Sequence, residues 1–81
     1  MNGASGPLPA SGLAIGTVVV DEERDRIGHV MDHEGGLIQL RPLGGGREWD
    51  ADPVRVRLAT PAERLSAAVA VANAASRDAA K

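Results

Sequence analysis

Leu37-Ile-Gln-Leu-Arg-Pro-Leu-Gly-Gly-Gly-Arg-Glu-Trp-Asp-Ala51 is the stretch whose reading decides the fold, and it holds the chain's only aromatic residue, Trp49. Ile38 and Leu40 alternate with Gln39 and Arg41, and Glu48 and Asp50 flank Trp49, so both arms have the period of two of half-buried strands. If Leu43 to Gly46 form a four-residue loop, Leu40 faces Trp49 and Ile38 faces Ala51 on one side. On the other side Arg41 faces Glu48 and Gln39 faces Asp50. One register thus serves an apolar face and a paired polar face together, which is what specifies a hairpin. Trp49, with charged neighbours on both sides, is expected in the core opposite Leu40.

Working outward, Leu13 to Val20 is β-branched and apolar and reads as a first strand, ended by the charged turn Asp21 to Arg26. Arg26 to Asp32 returns as a second strand. Its inward set is open, because Ile27 and Met31 share one face and Gly28 and Val30 the other, with Gly28 a candidate bulge. His33-Glu-Gly-Gly36 is a turn into the third strand. Beyond Trp49, Asp52-Pro53 breaks the ladder, since proline has no amide hydrogen to give. Val54 to Leu58 then alternates, with Val54, Val56 and Leu58 expected inward and Arg55 and Arg57 outward. Thr60-Pro-Ala-Glu63 is a full capping box with proline at the first helical position. The helix that follows carries Leu65, Ala68, Val69, Ala72 and Ala75 on one face.

These elements give a mainly β chain: a five-stranded small barrel over 13–59, then one C-terminal helix over 60–78. Residues 1–12, rich in Gly, Ser, Pro and Ala and without charge, read as a disordered leader, and 79–81 as a frayed tail. Eighty-one residues with ten glycines, no Phe and no Tyr support one small domain, which buries roughly 60% of its chain surface on folding. No cysteine is present, so neither a disulfide nor a thiolate site reinforces that core. No apolar run has the length of a membrane span, and the N-terminus lacks the basic and apolar regions of a signal peptide, so the expected location is cytoplasmic.

Eleven acids against nine bases give a net charge of −2. That balance argues against a nucleic-acid coat, and with Trp49 assigned to the core no aromatic platform is left for base stacking. His29, Asp32 and His33, with Glu34, have the donor types that a zinc-like cation accepts, but strand geometry points Asp32 away from the two imidazoles. Solvent-exposed turn residues are the favoured account, and no cofactor is expected. Gly44 to Gly46 is not a phosphate loop, since a strand rather than a helix follows it. Arg41, Arg47, Arg55 and Arg57 form a candidate guanidinium patch for an acidic partner, with cross-strand pairing to the interleaved acids as the plainer account. Val71 and Ala75, at the margin of the helix face, are candidates for contact with a partner or with a second copy. No residue set suggests catalysis.

Gly16-Thr-Val-Val-Val-Asp21, Arg26-Ile-Gly-His-Val-Met-Asp32 and Gln39 to Pro53 resemble a group of short, uncharacterised actinobacterial (Streptomyces-type) small-barrel proteins, a likeness covering most of residues 13 to 75. More distantly, a strand, a charged turn and then Ile-Gly-x-Val is similar to PRC-barrel and other Src-homology-3-like barrels. That second resemblance implies an adaptor or accessory role. The expectation is therefore a non-enzymatic interaction or regulatory module that binds a protein partner. A nucleic-acid-binding barrel and a metal-dependent accessory protein using His29 and His33 are the alternatives.

Overall fold

The computed structural model describes residues 13–79, so the expected leader over 1–12 lies outside the described residues. Five strands, β1 (Val18–Asp21), β2 (Arg26–Glu34), β3 (Leu37–Pro42), β4 (Trp49–Ala51) and β5 (Val56–Leu58), precede one helix, α1 (Pro61–Ala79). They form one antiparallel sheet in the order β4-β3-β2-β1-β5. No ladder joins β4 to β5, so hydrogen bonding does not close the sheet.

The central hairpin has the register that its alternation predicts: Ile38 pairs with Ala51, Gln39 with Asp50 and Leu40 with Trp49. Pairing stops there, short of Arg41 and Glu48. Gly35 and Gly36 turn β2 into β3 with φ of 59° and 80°, the two positive angles of a tight hairpin turn whose twist matches the strands. β2 runs on through His33 and Glu34, which are strand residues rather than turn residues. Its ladder to β3 slips between Val30 and Asp32. The bulge is therefore at Met31, not Gly28, and the inward set is Gly28 and Val30.

Every strand sends a side chain to one cluster. Val19, Val30, Ile38, Leu40, Ala51 and Val56 meet there with Leu13, and Trp49 packs against them. For Ala51 and Val56, from opposite edges of the sheet, to share one cluster, the sheet must curl strongly about its inner face. Regular pairing in β1 begins only at Val18. The residues before it turn back, with the Gly16 amide donating to the Val30 carbonyl at 2.7 Å, and this folds Leu13 onto the core.

Two features differ from the alternation. Val54 belongs not to β5 but to a single 3-10 turn, Pro53–Arg55, capped by the Asp52 carboxylate, and it is 87% exposed. Proline at the first position of that turn ends the β4 ladder and starts the turn in one step. Only Val56 of the expected inward trio is buried, since Leu58 is 44% exposed at the sheet edge. The second difference is in α1. The capping box forms, with the Glu63 amide donating to Thr60 Oγ1 at 3.1 Å and the Thr60 amide donating to Glu63 Oε1 at 2.9 Å. The side turned to the outer face of the sheet, however, is Glu63, Ala67, Ala70 and Val71. At 100° per residue, Leu65, Ala68, Val69 and Ala72 lie on the opposite side.

Candidate functional site

Asp21 and Trp49 are the polar centre of the inner face. Asp21 ends β1 with the same parity as Val19, so its side chain points inward, and it is fully buried. Its Oδ1 accepts the amides of Glu23 at 3.0 Å and Arg24 at 3.4 Å, an Asx turn that starts the reversal into β2. Its Oδ2 accepts Arg24 Nη1 at 3.1 Å and Trp49 Nε1 at 2.9 Å. Burial alone would raise the pKa of this carboxyl. The indole, the guanidinium and the two amides outweigh that effect and hold it below the ordinary aspartate value.

Trp49 reaches Asp21 by crossing the sheet. Its indole lies over Gly28, where an added Cβ would stand 2.9 Å from Trp49 Cη2 and 2.6 Å from the Arg41 carbonyl oxygen. Glycine at 28 is thus required by close approach. Arg26 stacks over the ring, its guanidinium carbon 4.1 Å from the centroid. Trp49 is in consequence only half-buried. The expectation that it lies opposite Leu40 is met, and the expectation of full burial is not.

A second polar cluster joins α1 to the sheet. Arg57 Nη1 and Nη2 donate to the two Glu63 oxygens, each at 2.8 Å, and Arg57 Nε donates to Glu22 Oε2 at 2.9 Å. This bidentate contact lowers the Glu63 pKa to about 2 and raises that of Arg57. Arg57 is therefore held within the chain, unlike its expected place in an outward patch. Arg41, Arg47 and Arg55 are exposed, and among the described residues no side-chain hydrogen bond or ion pair engages them. Val71 faces Gly44 of the β3–β4 loop, and Val71 and Ala75 line a cleft of about 350 Å³ beside it. The outward positions are instead Leu65, 67% exposed, and Val69, 49% exposed.

The histidines separate. His29 pairs with Arg41 and His33 with Ile38, so the bulge at Met31 puts them on opposite faces of β2. His33 Nε2 lies 2.9 Å from the Leu13 carbonyl, which can only accept, so that nitrogen carries the proton. Among the described residues no group of three His, Asp or Glu is placed to hold a metal ion. None of their helices is long and apolar enough to cross a membrane.

Sequence reasoning missed Asp21, Arg26 and Glu22, all assigned to a charged turn. The available signal was parity, because Asp21 continues the inward alternation of Val19. Comparison of the chain with family models, with curated proteins and with solved structures gives no match.

Proposed function

We propose that this chain is a non-enzymatic interaction module with the architecture of an Src-homology-3-like small barrel, which docks a protein partner through the outward side of α1 in the cytoplasm. Support for the barrel reading is the meander order with β5 beside β1, the 3-10 turn between β4 and β5, and one cluster fed by all five strands. Support for a non-catalytic role comes from Asp21. Its oxygens take four donors and its pKa is lowered, the reverse of what a general base working near neutral pH requires.

The observation that carries the docking reading is the exposure of Leu65 and Val69 on the side of α1 that faces away from the sheet. An amphipathic helix normally turns its large apolar side chains to its own domain, and here the alanines take that place. A helix face of this kind fits an apolar groove or another helix. The test is the double variant Leu65→Arg/Val69→Arg, checked by circular dichroism for an unchanged fold. Sedimentation of the parent and its capture of proteins from the native host are expected to show an association that the variant loses. A parent that sediments as a monomer at high concentration, with every captured protein retained by the variant, refutes the reading. Salt-dependent binding of DNA or RNA would favour the nucleic-acid alternative through Arg41, Arg47 and Arg55.

A further inference from the structure

We infer that α1 is a detachable arm, which lifts from the sheet as a unit about Ala59–Thr60 while the five strands stay folded, with Arg57 and Glu63 as its latch. This goes beyond the docking reading and stands on other observations.

The seam between α1 and the sheet is not filled. Clefts of about 300 Å³ and about 320 Å³ run along it, bounded by Val20, Ile27, Pro42 and Leu43 on one side and by Ala67, Ala70 and Val71 on the other. Alanine is a short side chain, and a seam flanked by such open clefts makes fewer of the dispersion contacts that lock packed helices together. Within 61–75 only Glu63 and Ala67 are even half-buried. The sheet, by contrast, does not need the helix. Val19, Val30, Ile38, Leu40 and Ala51 are at most 1% exposed on the inner face, whereas α1 lies along the outer one. Lifting α1 therefore bares Ile27 and the buried Val20 on the outer face but none of the inner-face cluster.

What holds the arm down is concentrated at its first turn. Glu63 receives both terminal nitrogens of Arg57, while Arg57 is anchored to Glu22 at the start of the β1–β2 turn. The same glutamate closes the capping box, so latch and helix start share one side chain. The pair is bidentate but only half-buried, so salt screens part of what it contributes. A nineteen-residue, alanine-rich helix also keeps part of its helicity without a partner, which lowers the cost of release. Release would uncover two apolar strips together, Val20–Ile27 on the sheet and Ala67–Ala70–Val71 on the arm.

Amide hydrogen exchange on the whole chain tests this. Amides from Ser66 to Ala75 are expected to exchange through an opening that leaves β1, β2 and β3 protected. Glu63→Gln keeps a capping acceptor but gives up the charge, and should speed exchange in α1 several-fold with the strands unchanged. The chain has no cysteine, and a Cβ on Gly44 would lie 3.4 Å from Val71 Cγ2. Oxidised Gly44→Cys/Val71→Cys should therefore pin the arm and slow its exchange, with reduction restoring the parent rate. One opening free energy shared by α1 and the strands would overturn the inference. So would exchange in α1 equally fast in the oxidised and reduced forms, because the helix would then be melting in place rather than lifting.

Discussion

Asp21→Asn isolates the bond that ties β1 to β4. Asparagine can still offer one oxygen to the amides of Glu23 and Arg24, so the Asx turn survives. Its NH₂ group, however, then faces Trp49 Nε1 and Arg24 Nη1, and donors meet donors. The Arg24 side chain is exposed and can turn to water, so its loss counts for about 0–1 kcal/mol. The indole is half-buried and its bond to a carboxylate is worth about 1.5–3 kcal/mol. Together these give about 1.5–4 kcal/mol, against a total of about 3–5 kcal/mol for a domain of this size. Trp49→Phe keeps a ring over Gly28 but removes the N–H, and is expected to cost about 1.5 kcal/mol because Asp21 retains three donors. Urea unfolding followed by far-ultraviolet circular dichroism on the parent, both single variants and the double variant yields the coupling. It should reach about 1 kcal/mol, since the two side chains are in direct contact. An Asp21→Asn variant within about 0.5 kcal/mol of the parent, or strictly additive single effects, would refute the view that this contact holds the sheet curled.

Three further outcomes follow from the same geometry. Gly28→Ala should destabilise by at least about 1–3 kcal/mol in urea unfolding, because the obstructing atom at 2.6 Å is the backbone oxygen of Arg41 in a paired strand, which cannot swing aside. A neutral effect would mean that Trp49 and β3 relax freely. Thr60→Ala should remove about 1 kcal/mol from α1 through loss of the cap, read as reduced ellipticity at 222 nm with near-ultraviolet Trp49 signals unchanged. Equal loss of both signals would argue against it. For pH, Glu63 has a folded-state pKa near 2 against an ordinary value of 4.5, and that of Asp21 is also lowered. A depressed carboxylate pKa contributes stability that is present above the unfolded value and lost as pH falls towards the folded one. The melting temperature should accordingly hold from pH 7 to about 5 and fall between 4.5 and 2, and Glu63→Gln should flatten part of that fall. A melting temperature constant down to pH 2 would contradict both assignments.

The parts legible in the sequence are those whose cause is local. The Leu40–Trp49 register follows from alternation on both arms of one hairpin, and the capping box from Thr60 and Glu63, three residues apart. The Asp21–Trp49 contact spans 28 residues, and neither partner's neighbours reveal the other. The bulge at Met31 was likewise hidden, because Ile27/Met31 and Gly28/Val30 offer two apolar faces and parity alone does not choose between them. What chooses is the indole, which leaves room only for a glycine beneath it. In α1 the difficulty is similar. A helix with alanines on every side has no single apolar stripe, and the face of Leu65 and Val69 could equally meet the sheet or a second copy as far as the sequence goes. The sheet instead takes Ala67 and Ala70, with Glu63 held by Arg57.

That choice of partners also accounts for how a sheet with two unpaired edges is protected. β4 and β5 do not pair with each other, and free edges invite other chains. On β5, the Val56 amide is taken by the Pro53 carbonyl and the Leu58 carbonyl by Arg57 Nη1 at 3.1 Å. Little of that edge is left to extend. On β4, three residues are too few for a stable added ladder, and Trp49 leaves the edge to cross the inner face to Asp21. Because β1 lies next to β5, the bond from Trp49 to Asp21 draws one edge of the sheet towards the other. One tryptophan, placed over the one buried glycine of β2, thus supplies by a single charge-assisted bond part of the closure that a β4–β5 ladder would have supplied.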